Sequence, residues 1–230
     1  MDAVSYRHEL KLQGADGQLA RCPFCRRHVM TIEDDADVGL QFVHRQHSAS
    51  PCPFTTNSVQ PQVLFAQGVR NIEVERRNRD AFIANWRSYF AVMVDQVRSL
   101  SIERFVNLIS IADVLNLWSF HDLDCDDVPY ILLVLAEVIA DTTVGHEKMW
   151  VRFVFEGRIK TVSDLWAEPE TRAKLYRIQY KRQKYTKLPT ARDIVICTEV
   201  ERAIGSQDRC AASVSAVEEA LFQRLLEVTH

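Results

Sequence analysis

Cysteine and histidine crowd into one short stretch of this chain, and that crowding limits what its first quarter can become. Cys22-Pro23-Phe24-Cys25 is a C-x2-C pair, followed after 21 residues by His47, then four residues and Cys52. Residues 1–62 contain few large apolar side chains, so a module of this size cannot close a dry core unaided and needs a staple. Thiolate and imidazole donors satisfy a borderline-soft ion in tetrahedral geometry, and two ligands two residues apart chelate from one knuckle. The expected staple is therefore Zn2+ held by Cys22, Cys25, His47 and Cys52, with His44 and His28 as competing imidazoles. Four protein donors leave no open coordination position, which makes the expected site structural rather than catalytic. The plain alternative is a chance gathering of reduced thiols. A redox C-x-x-C is disfavoured because no βαβ pattern surrounds it.

The other cysteines, Cys125, Cys197 and Cys210, are scattered and read as isolated small residues. A metal site in a reducing compartment explains this layout better than a secreted disulfide framework. The opening Met1-Asp2-Ala3-Val4-Ser5-Tyr6 has no apolar signal core. The most apolar run, Tyr130 to Ala140, is shorter than the roughly 20 residues a bilayer demands and includes Glu137. A cytoplasmic protein with no membrane partner is the expectation.

Beyond residue 62 the period becomes helical. Phe82, Trp86, Tyr89, Phe90, Met93 and Val97 mark one helix face. Ser101 is placed as the N-cap of a second, largely buried helix. Asp126 or Asp127 followed by Pro129 starts a third, which covers the apolar Tyr130 run. The segment Met149 to Ile159 reads equally as strand or helix. Further helices are expected over about 170–187 and 191–204, and Ser215 with Glu218 forms a capping box for a last one. The fold class expected is mainly α: a zinc-binding module over 1–62 and a helical bundle over 63–230.

Charge is segregated although the net formal charge is only −3. Between Phe105 and Glu147 there is no Lys or Arg, while Thr171 to Arg192 carries no acid. On a helix, Lys174, Arg177, Lys181 and Lys184 share one face, with Tyr176, Tyr180 and Tyr185 interleaved. Cations that neutralise phosphates beside rings that stack on bases suit single-stranded nucleic acid. Arg172, Lys174, Arg177, Tyr180, Lys181, Arg182, Lys184 and Lys187 are the expected nucleic-acid contacts. The alternatives are that this tract docks on the protein's own acidic middle, docks on a partner, or stays solvated.

For catalysis, His121, Asp122, Asp124, Asp126 and Asp127 could ligate Mg2+ as a nuclease does, but helix capping already accounts for two of the acids. No Gly-rich phosphate loop or nucleophile elbow is present, and no small-molecule substrate is evident.

The Cys22-Pro23-Phe24-Cys25 and Phe42-Val43-His44 region resembles the zinc finger of competence CoiA-like proteins over about thirty residues, without the nuclease-like part that follows in that family. By layout, the chain also resembles the small zinc-finger large-subunit homologue of type IV CRISPR complexes. The shared features are a finger from Cys22 to Cys52, a helical remainder and a basic run at 172–192. That resemblance implies guide-RNA and target-DNA contact within a multisubunit assembly. The expected function is a non-catalytic, zinc-containing, nucleic-acid-binding accessory subunit with other protein subunits as partners. The rivals are a metal-dependent nuclease and a protein-only scaffold or adaptor.

Overall fold

The helical period that begins near Phe82 produces two helices. In the computed structural model, which describes residues 21–22, 28–34, 39–44, 70–142, 148–167, 172–181, 189, 193–202 and 214–228, α1 spans Ile72–Ala84 and α2 spans Trp86–Gln96. Asn71 caps α1 by accepting the Val74 N–H, and the chain breaks at Asn85, which leaves helical geometry at ψ 12°. Phe82 stacks on Tyr89 across that break at 4.8 Å, so the apolar face continues although the helix does not. α3, Ile102–Val114, starts where its side-chain cap predicts: the Ser101 hydroxyl accepts the Arg104 N–H.

α4, Val128–Leu135, has Pro129 in its first turn and is buried at every position. The apolar run does not stay helical to Ala140. Glu137 takes the left-handed conformation at φ 56°, a rare choice for a residue bearing a Cβ, and the chain leaves as strand β3, Val138–Thr142. β4 (Lys148–Phe155), β5 (Leu175–Lys181) and β6 (Ile194–Glu199) follow, and the sheet order is β3-β4-β5-β6 with every pairing antiparallel. Nearer the N-terminus, β1 (Val29–Asp34) and β2 (Gly39–His44) pair in a separate hairpin that sets Val29 opposite His44. The last helix, α5 (Ala216–Val228), begins at the predicted capping box. The Ser215 hydroxyl accepts the Glu218 N–H at 3.2 Å, and the Glu218 carboxylate accepts the Ser215 N–H at 2.9 Å.

The mainly α expectation is therefore corrected to a mixed chain, with five helices and a four-stranded antiparallel sheet among the described residues. The segment 170–187 contains a strand, not a helix. Tyr176, Ile178 and Tyr180 alternate with Arg177, Gln179 and Lys181, and this period of two outweighs the helical spacing of the lysines. The segment 191–204 likewise holds β6, since Ile194-Val195-Ile196-Cys197-Thr198 is mostly β-branched and fits a pleated surface.

The two faces of the sheet differ. Ile139, Val151, Phe153, Phe155 and Leu175 point into one large core with α1–α5, where Trp86 stacks on Phe222 at 3.9 Å and Phe105, Trp118 and Tyr130 are fully enclosed. On the opposite face a small cluster gathers Val154, Ile178 and Tyr180 with Cys22 and Val29, flanked by Trp150, Tyr176, Ile194 and Cys197. Among the described residues no helix is long and apolar enough to cross a membrane.

Candidate functional site

Strand geometry redistributes the basic tract. Side chains on a strand alternate between faces, so the cations that would line one side of a helix separate. Arg172, just ahead of β5, donates from Nη2 to Asp127 Oδ1 at 2.9 Å. The Lys174 ammonium reaches Glu199 on β6 at 2.9 Å, and that carboxylate is the main reason its pKa is raised. Arg177 points to the helix side and donates to Asp141 on β3 at 2.8 Å, with the aspartate nearly sealed from solvent. Tyr180 faces the other way and is 4% exposed. Burial pushes its phenol above the usual range, against the pull of the neighbouring Arg152 guanidinium. Lys181 is exposed at the end of β5, and Arg182, Lys184 and Lys187 lie outside the described residues. The structure thus couples three of the expected phosphate contacts to carboxylates and buries one of the three rings expected to stack, Tyr180; Tyr176 is half-buried and Tyr185 lies outside the described residues.

Asp127 is the centre of this arrangement. Its backbone carbonyl opens α4, but its carboxylate does not cap the helix. Instead it accepts from Trp166 Nε1 at 3.1 Å, Arg172 Nη2 at 2.9 Å and Arg202 Nη1 at 2.7 Å. Arg202 also donates to the Ala173 carbonyl and lies 5.9 Å from the centre of the Tyr130 ring. Burial lowers its pKa, and the adjacent Asp127 carboxylate opposes that shift. A second buried acid, Glu156, accepts from the Lys174 N–H at 2.9 Å and from Arg158 at 2.8 Å. These contacts tie the acidic middle of the chain to the segment around β5. Asp127 was legible as a helix cap. Its arginine partners were not, because Arg202 lies 75 residues away and no local pattern links them.

The acids considered for Mg2+ do not converge. Asp127 is occupied as above, Asp124 accepts the Asp126 N–H at 2.9 Å, and His121 and Asp122 face solvent 3.4 Å apart. Among the described residues, no group of three or more His, Cys, Asp or Glu side chains is placed to hold a metal ion.

Of the four zinc ligands expected from sequence, Cys22 is described, whereas Cys25, His47 and Cys52 lie outside the described residues. Cys22 is 2% exposed, and an isolated antiparallel bridge between Arg21 and His28 brackets the C-x2-C pair. Of the competing imidazoles, His28 is exposed, and His44 is half-buried at the end of β2 opposite Val29. A buried thiol at the mouth of a bracketed C-x2-C suits a knuckle ligand, whose sulfur is shielded from solvent. By sequence Cys197 reads as an isolated residue. The structure packs it against the cluster that contains Cys22, and burial, with a smaller contribution from Cys22, pushes its thiol up to about 11.

Compared with protein-family models, with curated proteins and with solved structures, the chain matches none.

Proposed function

We propose that this protein is a non-catalytic accessory subunit of a larger assembly, an adaptor built on a zinc-stapled N-terminal module that works mainly through protein contact. The observation that carries this reading is the internal pairing of Arg172 with Asp127, Lys174 with Glu199 and Arg177 with Asp141. Cations committed to carboxylates reach phosphates only by breaking those pairs, and for Arg177 this would strand an almost fully buried aspartate. Support for protein contact comes from β6. Among the described residues it pairs only with β5, and it presents Val195 and Ile196 at 53% and 47% exposure along its edge. An open edge with apolar side chains is a template for strand addition by another chain. The zinc staple rests on the cysteine spacing and on the bracketed, buried Cys22.

A second reading keeps nucleic-acid contact but narrows it. Lys181 is exposed at the end of β5, and Arg182, Lys184 and Lys187 follow it in sequence. This shorter tract would then carry the phosphate contacts.

Native purification of the full chain separates the readings when zinc content, the 260/280 nm absorbance ratio and co-purifying chains are measured together. The adaptor reading expects one zinc per chain, a protein-like absorbance ratio and a stoichiometric partner protein that is lost in a Val195→Lys/Ile196→Lys variant. Co-purifying nucleic acid, lost in Lys181→Glu/Lys184→Glu, would replace it with the second reading.

A further inference from the structure

We propose that Cys22 and Cys197 form a redox-sensitive clasp, two thiols that a peroxide converts into one intramolecular disulfide joining the N-terminal segment to the edge strand β6. Both are reduced thiols, and the fold brings them together from near opposite ends of the sequence. Cys22 belongs to the small cluster on the outer face of the sheet, and Cys197 packs against that cluster. The β5–β6 register sets Cys197 opposite Ile178, which is one of the buried residues that Cys22 packs among. Burial raises the pKa of Cys197, and the Cys22 thiol adds to that shift, which places the two sulfurs within electrostatic reach. Cys125 stands apart from this pair: it packs against the main core and shares a hydrogen bond with Tyr89.

Cys197 is partly exposed whereas Cys22 is 2% exposed, so the Cys197 sulfur meets peroxide first. It breaks the O–O bond, becomes a sulfenic acid and releases one water. The Cys22 sulfur then displaces the sulfenic oxygen as a second water, and the S–S bond forms. Two thiols lose two electrons and two protons, and one H2O2 becomes two H2O. Burial slows the first step, because the thiolate is the attacking species and Cys197 stays protonated. The disulfide has no ionisable group and suits an apolar cluster. The clasp therefore closes slowly, under sustained peroxide, and then pins β6 beside its exposed Val195 and Ile196. It does not depend on zinc, although Cys22 cannot serve a metal and a disulfide at once.

The test uses the full chain, purified under reducing conditions, freed of reductant, held in excess hydrogen peroxide and digested with trypsin without reduction. Cleavage after Arg21, Arg26, Arg192 and Arg202 should release the 22–26 peptide joined to the 193–202 peptide, lighter than the two reduced peptides by two hydrogen atoms. Fragmentation between Cys22 and Pro23 in the mass spectrometer tells a bond at Cys22 from one at Cys25. The crosslink should vanish in Cys197→Ser and persist in Cys125→Ala. A bond between Cys22 and Cys25, bonds between chains, Cys197 carried to the sulfinic acid while Cys22 stays reduced, or two unchanged thiols would overturn the clasp. Zinc content measured on the same preparation keeps the two ideas separate: a metal-free chain that forms the crosslink removes the zinc staple and leaves the clasp, and a zinc-loaded chain that never forms it does the reverse. Peptide mapping of the unmodified chain needs no substitution, so it decides the question even if the Cys197 variant does not fold.

Discussion

The two faces of the four-stranded sheet are built on different terms. The helix side is a continuous apolar core that closes around rings such as Phe82, Phe105, Trp118 and Phe222. The outer side has a handful of apolar residues, a buried arginine at position 152, and cover from the short segments carrying Cys22 and Val29. Apolar side-chain volume dominates the first face, because close packing of large apolar groups supplies most of a domain's stability. The second is a small cluster, buried under the segments that carry Cys22 and Val29. Ion pairs follow the same division. Asp127–Arg202 is sealed and Asp141–Arg177 is mostly buried, and both link distant parts of the chain, while Lys174–Glu199 is half-exposed and contributes little.

The contrast can be broken most forcefully at Asp127. Asp127→Ala leaves Arg202, 5% exposed, without its carboxylate and removes the acceptor of Trp166. Loss of one partner from a buried pair costs about 3–5 kcal/mol, so chemical denaturation should show a large drop in midpoint. A change of under 1 kcal/mol would mean that solvent reaches the pair freely.

Neighbouring residues on β4 compare the faces directly. Phe153 faces the helices and Val154 the outer cluster, both fully buried. Phe153→Ala should cost about 3–5 kcal/mol. Val154→Ala should cost about 2 kcal/mol, from two lost carbon groups at roughly 0.8 kcal/mol each plus a cavity term. Equal losses measured in urea would show that the outer face is packed as firmly as the inner.

Ser215→Ala removes the cap of α5, which seals the helix side with Phe222 and Leu226, and should cost about 1 kcal/mol by thermal melting. The smallest effect concerns Glu218. Hydrogen bonds from the Ser215 N–H and hydroxyl hold its carboxyl below the usual 4.5. A carboxyl depressed in the folded state stabilises above its unfolded pKa, and that contribution disappears as pH falls through the lower folded value. The thermal midpoint of the parent should therefore fall further between pH 6 and pH 3 than that of Glu218→Gln. Parallel pH profiles would exclude the contribution.

Features read correctly from sequence were local. Ser101, Ser215 with Glu218, and Pro129 act within a turn of where they stand, so their pattern suffices. The misreadings had two sources. Around Arg177, cations at helical spacing compete with the alternation of Tyr176, Ile178 and Tyr180, and it is the alternation that sets the local structure. Within the Tyr130 to Ala140 run, the turn into β3 is made by Glu137 at positive φ, where no Gly or Pro signals a break. The candidate site was the least legible, because Asp127 meets Arg172 and Arg202 only after the sheet has formed. The acidic and basic segments were nevertheless visible as opposites, and mutual docking stood among the readings of that asymmetry.

The central claim is that the basic segment is occupied within the molecule. It is tested most directly by titrating the full chain with single-stranded oligonucleotides across a range of salt concentrations. Seven phosphate-neutralising cations, Arg172, Lys174, Arg177, Lys181, Arg182, Lys184 and Lys187, would give a slope of log K against log salt of about −4.9 at roughly −0.7 per contact. With Arg172, Lys174 and Arg177 paired internally, four remain, and any binding should have a slope no steeper than about −2.8. A slope near the steeper value would show that the carboxylates release their partners to phosphate and would contradict the account.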